Sequence, residues 1–298
     1  HLFERDCSIQ RRNQKLIEET PSEKLSPRLR HKISKMALKL GRHIGYTNAG
    51  TVEFLVSQDE QIFFMEMNTR LQVEHGVTEL TTGVDLVELQ IRSALGEVFH
   101  ITQDDVVSKG HAIEVRVYPE DPETFIPHVG TVSDVHLPVG ESIRVDTALC
   151  REYEVTLHYE PLLAKVMAWG EDRSQALKGI LQALLEFRIE GVETNIPLLR
   201  EILFQKEFAC GTYHTGSLAR WLQEQVKPEL NYPGKGYMST KETGNGDREI
   251  AAALGASLAL SLRNSGAPPS GDGGPNPWRI YGRREQFLSR ALARGGWR

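Results

Sequence analysis

The chain has 298 residues, 40% hydrophobic and 25% charged, with a formal net charge of −5. That length and composition predict a folded globule of one large domain or two ordinary ones, and the acidic balance argues against a nucleic-acid partner. No apolar run reaches the roughly 18 residues of a membrane-spanning helix, and Cys7, Cys150 and Cys210 are too scattered for a disulfide framework or a zinc site.

The N-terminal stretch HLFERDCSIQRRNQK starts as a short strand and turns basic and polar. It carries no signal-peptide core and no initiator Met, which suggests a fragment of a longer chain. From Ser26 to about Gly45 the apolar positions Leu29, Ile33, Met36, Ala37 and Leu40 predict a helix, with Ser26-Pro27 as cap and first turn. TVEFLV (51–56) and QIFFMEM (61–67) around the polar SQDE predict a hairpin, and a helix is expected over about 85–95. Residues 110–170 hold the β-rich runs HAIEVRVY, TVSDVHL, SIRVDTAL and LAKVMAW, followed by helices over 172–188 and 195–206. From about Lys227 the chain is rich in Gly, Pro and Lys, with one possible helix, REIAAALGASLALSLR, and the linker-like NSGAPPSGDGGPNP. No repeat of 20–50 residues is visible.

The densest polar cluster is MEMNTRLQVEHGVTE, where Glu66, Asn68, Arg70, Gln72 and Glu74 alternate with Met67, Thr69, Leu71 and Val73. An extended strand would put all five polar side chains on one face. A solvated strand edge alternates in the same way. The apolar IFFM before Glu66 predicts a strand leaving a core, and Glu53 is equally isolated among apolar neighbours. Two such carboxylates are costly to bury without a cation between them, and a hard cation such as Mg²⁺ takes carboxylate and phosphate oxygens. Arg70 offers a planar fork for a small anion or phosphate, and Glu74 a general base.

EMNTRLQVEHGVTE resembles the EMNxRxQVEHxVTE signature of biotin carboxylases. HLFERDCSIQRRNQK, AGTVEFL, GHAIEVRVYPEDP and GVETNIPLL resemble further segments of that family, in the expected order over roughly residues 1–220. The resemblance implies an α+β fold. Residues 1–105 would be the C-terminal part of an ATP-grasp domain, 106–226 a β-rich biotin carboxylase C-terminal domain, and 227–298 a flexible linker or tail.

It also implies ATP-dependent carboxylation of biotin on a carrier protein, with bicarbonate activated as carboxyphosphate. Glu53 and Glu66, with Asn68 beside them, align with ligands of Mg²⁺ (or Mn²⁺). Lys15, Arg70, Gln72 and the Val73 backbone align with a bicarbonate pocket, and Glu74 with the base. Arg116 aligns with the arginine facing the biotin enolate. Gln10, Asn13, Leu55 and Val192 align with positions around ATP, beside the metal-side Glu53 and Glu66. Phosphoryl transfer relies on positioning and charge neutralisation, which a metal and cation cluster supplies.

Plainer readings stand beside these. Glu53 could pair with an arginine such as Arg70, Arg116 could be a surface residue on a half-buried strand, and Lys15 could belong to a solvated charge run. His75 and Cys7 read as structural. The sequence departs from the family pattern at Asn13, Gly76 and Glu160. The family's N-terminal domain and Gly-rich lid would precede His1, so little carboxylase activity is expected of this chain alone. No Met-Lys-Met biotin acceptor occurs in it. Expected partners are a biotin carboxyl carrier domain, a carboxyltransferase subunit and a second copy, with no nucleic acid and no membrane, in the cytoplasm or the mitochondrial matrix. Two rivals are another ATP-grasp enzyme, such as a carbamoyl-phosphate synthase large chain, and a non-catalytic interaction fragment.

Overall fold

In the computed structural model of the chain, residues 1–99 and 101–224 are described. The first element is a hairpin of β1 (Asp6–Arg11) and β2 (Gln14–Thr20). Its turn, Arg12-Asn13, has φ of 50° and 65°. Positive φ at both central residues gives a turn whose twist matches the strands it joins, and asparagine tolerates that region better than most side chains. The basic and polar run that ends at Lys15 is thus the end of β1, this turn and the start of β2, whose next residues Leu16 and Ile17 are buried.

Helix α1 (Pro27–His43) forms as expected: the Ser26 hydroxyl accepts from the Leu29 amide at 3.3 Å, and Pro27 occupies the first turn. Strands β3 (Thr51–Val56) and β4 (Ile62–Asn68) make a separate two-stranded sheet with Glu53 opposite Glu66. Here an expectation fails. Phe63, Phe64, Met65 and Glu66 are exposed, so this strand does not leave a core within the described residues.

The alternation over 66–74 is also not one strand. Strand β4 ends at Asn68, residues 69–74 turn, and helix α2 (His75–Thr82) follows, ending on Gly83 at φ 70°. Helix α2 is short and rich in β-branched residues. It forms because Val77, Thr78 and Thr81 are buried together at helical spacing, so packing overrides weak propensity. Asp85 then caps α3 (Leu86–Ala94), its carboxylate accepting from the Glu88 amide at 2.8 Å.

The remaining elements are β5 (His111–Val117), β6 (Gly130–Thr131), β7 (Asp134–His136), β8 (Ile143–Thr147), β9 (Glu154–Val155), β10 (Ala164–Gly170), α4 (Arg173–Glu186), β11 (Arg188–Glu190), α5 (Ile196–Phe204), α6 (Lys206–Ala209) and α7 (Ser217–Gln223). The β-rich runs and both helices expected after residue 110 are thus present. The tail from 227, with its possible helix, lies outside the described residues.

The principal sheet has the antiparallel order β1-β2-β5-β10-β8. It draws strands from both sides of residue 105, since Ile17 pairs with Val115 and Glu19 with Ile113. One face carries Ile113, Val115, Val166 and Ala168 into a core completed by Leu177, Ile180 and Leu184 of α4 and Leu199 and Leu203 of α5. The other face is covered by α2, where Val77 packs on Ala112 and Met167. The approach is close: a Cβ on Gly76 would lie 2.2 Å from the Met167 sulfur. No helix among the described residues is long and apolar enough to cross a membrane.

Candidate active site

The sheet face under α2 is apolar at one end and charged at the other. Glu18 pairs with Glu114, Met167 with Glu114, and Lys165 with Arg116. Opposed residues of antiparallel strands share a face, and period two extends that face along each strand. The turn after β4 brings Gln72 and Glu74 onto this region, where they are 5% and 2% exposed.

Lys15, at the start of β2, is the hub. Its Nζ donates to Glu74 Oε1 at 2.6 Å and to Glu53 Oε1 at 2.8 Å. Glu53 Oε1 also accepts from Gln72 Nε2 at 2.6 Å and Asn68 Nδ2 at 3.1 Å, and Asn68 Nδ2 lies 3.0 Å from Glu66 Oε1. On the far side of Glu74, Oε2 accepts from Arg116 Nη2 at 2.8 Å, and the same Nη2 touches Glu18. Burial alone would raise the Glu74 carboxyl, but the charges of Lys15 and Arg5 outweigh it and hold it down to about 2. Burial opposes the charge on Arg116, and Glu18 and Glu74 more than restore it. Burial first, then Glu74, pushes the Cys7 thiol well above its usual range.

The backbone here is fixed by long side chains. Lys165 Nζ donates to the Val73 carbonyl at 2.8 Å and pairs with Asp146 at 3.1 Å. Arg5 reaches Gln72 Oε1, Thr78 Oγ1 at 3.0 Å and Thr51 Oγ1 at 3.2 Å, linking β3, the turn and α2. His75 Nδ1 lies 2.9 Å from the Gln72 carbonyl, a helix-entry contact.

The structure therefore gathers Lys15, Glu53, Glu66, Asn68, Gln72, Val73, Glu74 and Arg116. It does not gather Arg70, which is exposed with its guanidinium on the Leu71 carbonyl at 3.1 Å. Gln10 turns its amide onto the Cys7 carbonyl at 2.7 Å, and Asn13 sits at the hairpin tip. Leu55 is half-exposed on β3, and Val192 is buried in the main core. Glu53 pairs with Lys15 rather than Arg70, and Arg116 is buried rather than a surface residue.

Among the described residues, no cluster of three or more His, Cys, Asp or Glu side chains is arranged to hold a metal. Glu53 and Glu66 still fit a hard cation: their carboxylates lie opposite each other on one hairpin, and the Asn68 amide, whose nitrogen now faces both, would add its oxygen after turning over; the set is too small to fill the shell, as for an ion that takes its remaining ligands from phosphates and water.

Residues 1–102 match the family model described as "Carbamoyl-phosphate synthase L chain, ATP binding domain", and residues 114–220 match "Biotin carboxylase C-terminal domain". The second match decides between the rival ATP-grasp enzymes. The chain belongs to the biotin carboxylase family. It is 48% identical over 222 residues to biotin carboxylase 2 of Bacillus subtilis, covering 74% of this chain and 50% of that protein. It is 39% identical over 293 residues to the mitochondrial methylcrotonoyl-CoA carboxylase subunit alpha of Arabidopsis thaliana, covering 97% and 40%. The biotin carboxylase domain of Hydrogenobacter thermophilus 2-oxoglutarate carboxylase, solved as a dimer with MgADP, ADP and bicarbonate, superposes with a TM-score of 0.73 at 44% identity, covering 74% of this chain and 49% of that one. The chain spans about half the length of the curated relatives it matches.

Set in the biotin carboxylase frame, sequence reasoning missed Arg5, Glu18, Glu114, Asp146 and Lys165. Glu114 and Lys165 had a readable signal, each being a charge inside an otherwise apolar strand (AIEVRV and LAKVMAW). Glu18 had little, because KLIEET reads as the end of a polar run.

Proposed function

We propose that the chain supplies the bicarbonate- and biotin-facing side of a site for ATP-dependent carboxylation of biotin. The observation that carries this is the chain of contacts Glu53–Lys15–Glu74–Arg116: a half-buried lysine and a buried arginine flank one buried carboxylate beside a hard-oxygen donor set. Residues 1–105 take the role of the C-terminal ATP-grasp part, 106–226 of the biotin carboxylase C-terminal domain and 227–298 of a linker or tail.

Lys15, Gln72 and the Val73 backbone bind the bicarbonate anion, joined by Arg70 once it turns inward. Glu74, ionised at neutral pH, takes the bicarbonate hydroxyl proton on a carboxylate oxygen. The paired cations that guarantee its charge also make it a weak base. An anion that draws Lys15 and Arg116 toward itself strengthens it. The deprotonated oxygen attacks the terminal phosphorus of ATP, giving carboxyphosphate and ADP. Arg116 then stabilises negative charge on the biotin ureido oxygen as N1 gives up its proton and takes the carboxyl group, while the C–O bond of carboxyphosphate breaks and inorganic phosphate leaves carrying that proton. Glu53, Glu66 and Asn68 would hold Mg²⁺ or Mn²⁺, which neutralises phosphate charge when bound. Gln10, Asn13, Leu55 and Val192 are assigned to the nucleotide. The partners are a biotin carboxyl carrier domain, a carboxyltransferase and a second copy, in the cytoplasm or the mitochondrial matrix.

The test is calorimetric titration of bicarbonate and of MgATP into the chain, beside a Glu53→Ala/Glu66→Ala double variant and Lys15→Met. Bicarbonate binding lost in Lys15→Met, and MgATP binding lost in the double variant, are expected. Binding that neither change affects would overturn the assignment.

A further inference from the structure

Beneath the Lys15–Glu74 contact lies a second pair of acids that the mechanism above leaves unused. Glu18 and Glu114 stand directly opposite each other across β2 and β5, both 0% exposed. None of their four carboxyl oxygens accepts a hydrogen bond from a described group. Arg116 Nη2 is in contact with Glu18 Oε1, yet out of line for a hydrogen bond. The backbone of α2 closes over them, and a Cβ on Gly76 would sit 3.5 Å from Glu114 Oε2.

Two adjacent carboxylates in such a layer cannot both remain charged, because each pays for desolvation and repels the other. The charged and titratable groups facing the pair are Cys7 from β1, Lys15 from β2, Arg116 from β5 with Tyr118 just beyond it, Lys165 from β10, and Glu74 at the start of α2. Of the cations, Arg116 is the one in contact with Glu18, and its Nη2 is also the donor to Glu74.

Resting on the proposed function, we infer that Glu18 and Glu114 keep one proton between them throughout the neutral range and take up a second at Glu18, and that this second proton sets how strongly Arg116 is drawn away from Glu74 and the substrate anion. Glu18 is thus a positioning residue that acts through Arg116. The order of protonation follows from the contacts. Burial, then Glu18, drives the Glu114 carboxyl well above its usual range, while burial lifts Glu18 to about 7 against the pull of Arg116. Below that pH Glu18 is neutral and the Arg116 charge is committed to Glu74 and the anion. Above it, ionised Glu18 competes, so anion affinity falls as pH rises.

Infrared spectroscopy of the chain with ¹³C-labelled glutamate tests the pair. A protonated-carboxyl band is expected at neutral pH, diminished in Glu114→Gln. It should grow on acidification with a midpoint near 7 that is absent in Glu18→Gln. The Arg116 side-chain ¹⁵N signal, assigned by its loss in Arg116→Lys, should move with the same midpoint in the wild type and stay fixed in Glu18→Gln. Bicarbonate affinity of the wild type should fall about tenfold relative to Glu18→Gln over about one pH unit on either side of that midpoint, the size expected of one nearby buried charge. Absence of an acid band at neutral pH overturns the pair. A band whose titration leaves the Arg116 signal still overturns the positioning role. If Glu18→Gln does not fold, coincidence or divergence of the two wild-type midpoints decides. A chain that binds no bicarbonate sinks the proposed function, and the two spectroscopic readouts still decide this inference.

Discussion

Replacing Glu19 with glutamine should destabilise the chain by about 3 kcal/mol at neutral pH, although Glu19 touches none of the site residues assigned above. Glu19 points to the sheet face opposite Glu18 and is 1% exposed. Its carboxylate accepts from Arg173 Nε at 2.7 Å and Nη2 at 3.1 Å and from the Tyr213 hydroxyl at 2.5 Å, and His111 Nε2 lies 2.7 Å away. Burial would raise its pKa, but His111 and Arg173 overcome this and bring it from 4.5 to about 2. A depressed carboxyl stabilises the fold above its unfolded value, and that stabilisation disappears as pH falls through the folded value. At 1.36 kcal/mol per unit, the interval is worth about 3 kcal/mol. Glutamine removes the charge and leaves Arg173 with the Phe208 and Ala209 carbonyls, at 2.8 and 2.9 Å. Urea unfolding of both proteins from pH 7 down to about 2 should show the full gap at pH 7, narrowing below about 4.5. A gap under about 1 kcal/mol at pH 7, or one that does not change with pH, would refute the reasoning.

Gly76→Ala should lower stability by about 1–3 kcal/mol, because the new methyl would overlap the Met167 sulfur, and a Met167→Ala background should recover part of the loss; thermal unfolding reads both. Lys165→Met leaves the half-buried Val73 carbonyl without its donor, so a loss of about 1 kcal/mol in denaturant unfolding is expected, with weaker bicarbonate binding as the turn before Glu74 loosens. An unchanged bicarbonate affinity in that variant would show that Lys165 does not hold the turn.

Helix α1 and the β3–β4 hairpin were legible because their signals are local: a serine cap with proline, an apolar stripe, and two runs around a polar turn. Helix α2 was not, since its threonines and valine suit a strand equally well and the alternation before it suggested extension. Lys15, Glu53, Glu74 and Arg116 could be singled out through the family segments, and they do converge. What could not be read was their support. The opposition of Glu18 and Glu114 depends on β2 lying against β5, a pairing between strands far apart in the chain that no local pattern encodes. Arg5 likewise gains its meaning only when β3 and α2 arrive on either side of it.

Because β2 is the neighbour of β5, the stretch matching the biotin carboxylase C-terminal domain does not own all of its sheet. A chimera taking residues 114–220 from a relative would therefore set a β5 that is foreign from residue 114 onward against a native β2, with Ile17 and Glu18 facing side chains they were not selected beside. The transferable module is discontinuous, 6–20 together with 111–223, and recombination that respects this seam should yield folded hybrids where a single cut near residue 105 does not.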